Sequence, residues 1–122
     1  MSEKVYIFDE IEVAQPQATR LRTAYLERYV PIAKAGGMKL EGAWTSPPIE
    51  LADRSLTLHF MWSVPDVGAW WAMRLGAARA NPENDVPLDG HEEKLAWWGW
   101  VDDLAIARKR TFLRDMEEAA DV

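Results

Sequence analysis

The chain has 122 residues, a formal net charge of −6 and no cysteine. This suits one domain with its own core and excludes a disulfide framework or a thiol nucleophile. The acidic balance argues against a nucleic-acid-binding surface, which usually shows as a basic patch. No apolar run approaches the ~20 residues of a membrane span, and the charged start MSEKVYIFDE is not a signal-peptide core. We therefore expect a cytoplasmic globular protein that binds neither nucleic acid nor a membrane.

The chain opens with a predicted strand and a predicted helix. Residues 4–13 are rich in β-branched and aromatic types and alternate along their length, which predicts the strand. Apolar residues at helical spacing predict a helix over 16–35. Because Pro31 cannot donate a backbone hydrogen bond, we expect a kink or an early end near Tyr29. The pair Gly36-Gly37 follows, where a left-handed residue suits a helix end.

Two further strands are predicted at 38–45 and 55–64. The second of these has the clearest alternation in the chain, so its side chains divide between two faces. The apolar face comprises Leu56, Leu58, Phe60, Trp62 and Val64, and the other comprises Thr57, His59, Met61 and Ser63. If the apolar face packs against helices, the face that carries His59 is turned away from them.

The second half of the chain is predicted to be mostly helical. A helix is expected over 66–80, with Asp66 as its N-cap, and another begins near His91 after a proline-containing loop. The apolar segment 105–113 fits either a strand or a continuation of that helix. We expect a single domain over 1–115, followed by an acidic C-terminal tail at 116–122.

Seven tryptophans are present, and their positions on the predicted helices suggest two uses. Trp70, Trp71, Trp97 and Trp100 fall on apolar stripes, which is typical of rings that bury area between helices and a sheet. Trp98 lies beside its neighbours' stripe, so we regard it as a candidate for an interface or a ligand pocket.

Five stretches resemble NIPSNAP-type proteins and together cover nearly the whole chain. They are VYIFDEIEV, GGMKLEGAW, LHFMWSVPD, MRLGAARANPE and RTFLRDM. The resemblance implies an α+β, ferredoxin-like β-α-β-β-α-β domain with an extra helix. It also implies a dimeric α+β barrel, in which two sheets meet across a two-fold axis and enclose cavities. A homodimer agrees with the sequence, since a lone sheet would leave its second face in water.

Two functional hypotheses follow. The first is a cofactor-independent enzyme of isomerase, lyase or monooxygenase type that transfers a proton to or from an apolar, aromatic or polycyclic small molecule in the barrel cavity. The second is a non-catalytic ligand-binding or assembly protein. No metal or other cofactor is expected, because two histidines without cysteine give no ligand-like spacing.

The catalytic candidates are His59 and Asp9. Histidine exchanges a proton near neutral pH, and a carboxylate facing an apolar cavity has a raised pKa, which suits a general base. The alternative for His59 is a buried histidine satisfied by a neighbour. The alternative for Asp9 is a salt bridge, for which Arg22, Lys39 and Arg54 are the candidate partners.

The same hypothesis assigns six residues to ligand binding: Ile7, Ile11, Glu41, Trp44, Met61 and Trp98. The faces of the first strand are ambiguous at this point. Tyr6, Phe8 and Glu10 are the alternative set for the cavity side.

Overall fold

The computed structural model describes residues 4–49, 51, 53–78 and 91–115, so the loop at 81–90 and the acidic tail at 116–122 lie outside the described residues. The strands are β1 Val5–Val13, β2 Lys39–Ser46, β3 Leu56–Val64 and β4 Ala105–Arg114, and the helices are α1 Gln15–Ala24, α2 Val30–Ala35, α3 Val67–Ala78 and α4 His91–Leu104, with a π-helical turn Tyr25–Tyr29 between α1 and α2. This is the predicted ferredoxin-like α+β arrangement with an extra helix. In the described part of the chain, no helix combines the length and apolarity that crossing a membrane requires.

The four strands form one antiparallel sheet in the order β2-β3-β1-β4. The segment 105–113, which the sequence left open between strand and helix, is therefore strand β4 at an edge of the sheet. Its register places Arg110 directly opposite Asp9 and Lys109 opposite Glu10. Because side chains alternate along a strand, these two pairs lie on opposite faces of the sheet.

One face of the sheet packs beneath the helices and forms the core. The buried apolar residues of β3 are the five predicted from its alternation, and β1 contributes Val5, Ile7, Ile11 and Val13. The opposite side of the sheet, here called the open face, is half-buried or exposed at most positions. Its side chains include Tyr6, Phe8 and Glu10 of β1, Trp44 of β2, Thr57, His59, Met61 and Ser63 of β3, and Lys109, Thr111 and Leu113 of β4.

The first helix does not end near Tyr29 but continues to Ala35. The amide of Val30 donates to the carbonyl of Tyr25, which is the wide spacing of a π turn. This widened turn carries the helix past Pro31, which has no amide to donate. Both Tyr25 and Tyr29 are buried against the sheet as a result. The expected left-handed residue after the helix is Gly37, with φ of 96°.

A hydrogen-bonded network joins this helix to the sheet. Asp9 is 1% exposed and accepts two bonds from Arg110, from Nε at 2.6 Å and from the guanidinium NH2 at 2.8 Å. The Tyr25 hydroxyl donates to Asp9 at 3.0 Å and accepts from the indole nitrogen of Trp62 at 2.6 Å. Arg110 also donates to the Tyr29 hydroxyl at 2.8 Å. The buried carboxylate is thus fully satisfied within the core.

Asp9 is therefore in a salt bridge, but with none of the three partners proposed from the sequence. Arg110 takes this role because β4 pairs with β1, a neighbourhood that depends on residues far apart in the chain. Burial lowers the pKa of Arg110, but the hydrogen bonds and the charge of Asp9 outweigh it and raise that pKa above its usual value. The guanidinium is charged throughout the accessible pH range.

The Asp9–Arg110 pair can be tested against a matched surface pair. Asp9→Asn keeps the size of the side chain but leaves Arg110 without its counter-charge, so we expect a loss of ~3–5 kcal/mol in the free energy of unfolding. Asp102→Asn is the control, because Asp102 binds Arg108 in the same two-bond manner on the exposed surface and should cost ~0–1 kcal/mol. Urea denaturation of both variants makes the comparison, and equal losses would contradict a structural role for Asp9.

Because Tyr25 is buried, we expect the free energy of unfolding to fall at alkaline pH. Burial, followed by the charge of Asp9, raises the pKa of Tyr25. Above pH ~10, the usual tyrosine pKa, the unfolded chain loses this proton while the folded chain keeps it, so stability falls as pH rises. Tyr25→Phe should reduce the steepness of that fall, measured by urea unfolding between pH 8 and 11. An unchanged slope would show that Tyr25 does not contribute.

Candidate functional site on the open face

The centre of the open face carries a row of four side chains, one from each strand. His59 of β3 is opposite Trp44 of β2 on one side and Glu10 of β1 on the other. Lys109 of β4 is opposite Glu10. An aromatic platform, an imidazole, a carboxylate and an ammonium group therefore follow one another across the sheet, a row referred to below as the central row.

His59 is held by two neighbours from β1. Its Nδ1 lies 3.7 Å from Oε1 of Glu10, and its ring stacks against Phe8 with centroids 5.7 Å apart and an interplanar angle of 22°. The side chain is 19% exposed. Glu10 lies on the Nδ1 side of the imidazole.

The structure does not bring His59 and Asp9 together. Asp9 lies in the core with Arg110, whereas its neighbour Glu10 points to the open face, because successive strand residues face opposite ways. A His59–Asp9 proton-transfer pair in one cavity is therefore excluded. Ile7 and Ile11 lie on the same face of β1 as Asp9, and both are completely buried beneath the helices.

Glu10 is the acidic partner that sequence reasoning did not select. The signal was present, since Val5, Ile7, Ile11 and Val13 alternate in the same way as the apolar face of β3. Asp9 obscured this signal, because a carboxylate in an otherwise apolar row looked like a functional group rather than a buried ion pair. The alternative set of Tyr6, Phe8 and Glu10 is the one that the structure places on the same face of the sheet as His59.

Trp44 and Met61, two of the predicted ligand-binding residues, do lie on the open face with His59. The Trp44 ring lies over Gly42, where an added Cβ would be 2.6 Å from the ring. Trp44 is 54% exposed, so much of this indole is free to stack on a planar molecule. Met61 is opposite both Gly42 and Phe8 and forms the apolar floor beside the central row.

Glu41 lies near the beginning of β2, where the register shifts between Leu40 and Gly42. It accepts a hydrogen bond from Ser63 at 2.9 Å and lies near the ammonium groups of Lys39 and Lys4 at 3.7 and 4.0 Å. The Ser63 hydrogen bond, followed by these two charges, holds the pKa of Glu41 below its usual value. Glu41 is thus bound to its own neighbours, away from the central row.

Trp98 lies on the helix side and does not border the open face. Its ring makes an edge contact with Tyr29 at 5.0 Å, and the guanidinium groups of Arg108 and Arg110 lie 4.5 and 5.0 Å from its centre. It covers the outer side of the Asp9–Arg110 pair. The core assignment holds for Trp97, which is fully buried, whereas Trp71 is 52% exposed.

A concavity lies on the helix side of β2 and β3. Its volume is about 210 Å³, and its lining comprises Arg22, Leu26, Ala43, Trp44, Thr45, Leu58 and Phe60. It lacks a histidine or a carboxylate, so it offers no group for proton transfer. Within the described ranges, no three His, Asp or Glu side chains gather in a way that could hold a metal ion.

No protein-family profile and no curated protein sequence matches the chain, but several solved structures share its fold. A NIPSNAP family protein from Agrobacterium tumefaciens strain C58 is 13% identical, with a TM-score of 0.61 over 96% of this chain and 90% of that one. An uncharacterised NIPSNAP domain protein from Burkholderia xenovorans is 14% identical, with a TM-score of 0.61 over 93% and 95%. A protein provisionally named an antibiotic biosynthesis monooxygenase, from Nitrosomonas europaea, is 10% identical, with a TM-score of 0.57 over 96% and 94%. The chain thus has a NIPSNAP-like, ferredoxin-like fold.

Proposed function

We propose that the open face is one wall of a cavity between two copies of this chain, and that His59 transfers a proton there to or from an apolar aromatic molecule without a cofactor. The observation that carries this proposal is the His59–Glu10 pair, 3.7 Å apart. It lies on the Phe8 ring and beside the exposed indole of Trp44. A titratable group, a carboxylate that orients it and a stacking surface are thus in one place.

A second copy would give the open face the cover that it lacks. Four strands spaced ~4.8 Å apart and about nine residues long give a face of ~600 Å². Pairing two such faces buries ~1,200 Å² in total, which is at the lower end of specific protein interfaces. Apolar side chains on this face include Phe8, Met61 and Leu113, the last of which is 41% exposed. Their removal from water would favour association.

The proposed chemistry depends on the different surroundings of the two imidazole nitrogens of His59. Glu10 on the Nδ1 side favours the tautomer that keeps a proton on Nδ1, and it stabilises the imidazolium once Nε2 has accepted a second proton. Nε2 is then the base that removes a proton from carbon or oxygen of the bound molecule. The Phe8 ring restricts the orientation of the imidazole, and a dry cavity would strengthen its interaction with Glu10.

The fold neighbours are compatible with this activity without identifying it. One carries a provisional monooxygenase name, while the NIPSNAP structures are described only as family or domain proteins. A shared fold does not transfer a function. The proposal therefore rests on the central row of this chain, and its substrate class is inferred from the aromatic and apolar lining.

A non-catalytic ligand-binding or assembly protein is the second candidate. The observation that favours it is the distribution of the indoles, since most of them lie in or against the core. On this hypothesis, Trp44 and Phe8 bind an aromatic ligand or the second copy, and His59 needs no proton transfer. The two candidates differ in what happens when His59 loses its ability to titrate.

The first prediction from this proposal concerns the oligomeric state. We expect a dimer at micromolar concentration in sedimentation velocity. Met61→Lys places a charge in the middle of the open face and should yield monomers. Leu95→Lys is the control, because Leu95 is 61% exposed on α4 and its replacement should leave the dimer intact. If the parent chain is a folded monomer at this concentration, the proposal of a cavity shared between two copies is wrong.

The second prediction concerns proton transfer. The parent chain should accelerate deuterium exchange at the acidic carbon of 2-tetralone in D2O, followed by proton NMR. His59→Gln should lower this rate by ~10²–10⁴-fold, the usual contribution of a general base, and Glu10→Gln should give a smaller loss. His91→Gln is the control, since His91 is the only other histidine. If His59→Gln binds the ketone and exchanges it at the parent rate, the non-catalytic candidate is the correct one.

A further inference from the structure

Lys109 is the one member of the central row that the proposed proton transfer leaves without a role. It lies opposite Glu10 on β4 and is exposed. Among the described residues it has no ion-pair partner. Glu10 places its Oε1 near His59, and its carboxylate is not within 4.0 Å of the Lys109 ammonium.

The other lysines of this region are placed differently. Lys4 and Lys39 both lie within 4.0 Å of Glu41 near the beginning of β2. Lys109 is thus distinct in lying in the central row, on the same face as Trp44 and His59, without an ion-pair partner among the described residues. Because the chain carries a net charge of −6, its overall field repels anions. Any preference of the open face for an anion must therefore come from a local cation.

We infer that Lys109 binds an anionic oxygen of the ligand, and that the ligand is a planar fused-ring molecule with a carboxylate, phenolate or enolate group. This inference rests on the proposed function and names its ligand class. The ring system would stack on Trp44, and its acidic oxygen would meet Lys109 at the other end of the central row.

The dimensions of the row support a fused-ring ligand over a single ring. Trp44 and Lys109 are three strand spacings apart, or ~14 Å, and the flexible lysine stem shortens the distance to be bridged. His59 lies between them. When Nε2 removes a proton from carbon, the electron pair of that C–H bond moves onto the carbonyl oxygen as an enolate, and Lys109 stabilises the resulting negative charge.

Two fluorescent probes that differ by one charge test the inference. 8-Anilinonaphthalene-1-sulfonate carries a sulfonate, and N-phenyl-1-naphthylamine has the same ring framework without it. The parent chain should bind the anionic probe ~10-fold more tightly, as expected for a hydrogen bond between charged groups. Lys109→Met should remove this preference and leave the neutral probe unaffected, whereas Lys109→Arg should retain it.

Two matched variants separate the possible outcomes. Lys34→Met removes an exposed charge from α2 and should not alter either affinity. Arg22→Met tests the concavity on the helix side, where Arg22 lies beside apolar residues. Loss of the anion preference in Arg22→Met rather than in Lys109→Met would overturn the inference, and so would equal affinity for the two probes in the parent chain. Neither readout depends on His59, so failure of the proton-transfer proposal would be seen separately, in the deuterium exchange.

Discussion

The ion pair between Asp9 and Arg110 decides which side chains reach the open face. These residues are directly opposite each other on β1 and β4, and their two hydrogen bonds place both on the helix side. Alternation then sends Glu10 and Lys109 to the other face. A slip of one residue between the two strands would leave a carboxylate buried without its counter-charge and would turn each set of side chains to the wrong side.

A buried ion pair is an expensive way to gain stability, because the loss of hydration offsets much of the attraction. Its effect here is better understood as specificity. The edge strand β4 has the sequence AIARKRTFLR, in which polar and apolar residues do not alternate cleanly. Hydrophobic burial alone would fix its register weakly. The ion pair of Arg110 with Asp9 favours one register of β4 against β1 over the others. The hydroxyls of Tyr25 and Tyr29 in the π turn extend the same hydrogen-bonded network into the helix layer.

How far the sequence predicts the site depends on the strand. For β3 the alternation is complete, so the placement of His59 and Met61 away from the helices follows from local pattern alone. For β1 the same pattern is interrupted by Asp9. Which face of β1 is buried becomes clear only from the partner of Asp9, Arg110, which lies 101 residues further along the chain. The surroundings of Trp98 likewise depend on residues that are distant in the sequence. A position at the edge of an apolar stripe predicts partial exposure, but the guanidinium groups that lie over the Trp98 ring belong to Arg108 and Arg110 of β4.

The charges on the open face favour a cavity over two flat faces in dry contact. In a two-fold arrangement each copy brings its own Glu10 and Lys109 to the interface. Burying these groups without water or a matched partner would cost more than the apolar contacts return. The apolar side chains Phe8, Met61 and Leu113 lie to one side of the central row, where close contact between copies is favourable. If two copies pair as proposed, the row would be left as a polar-lined space, with stacking surfaces at its margin and His59 inside it. Under the proposed function, this distribution of charge would suit a chamber for a small aromatic acid better than a purely structural interface.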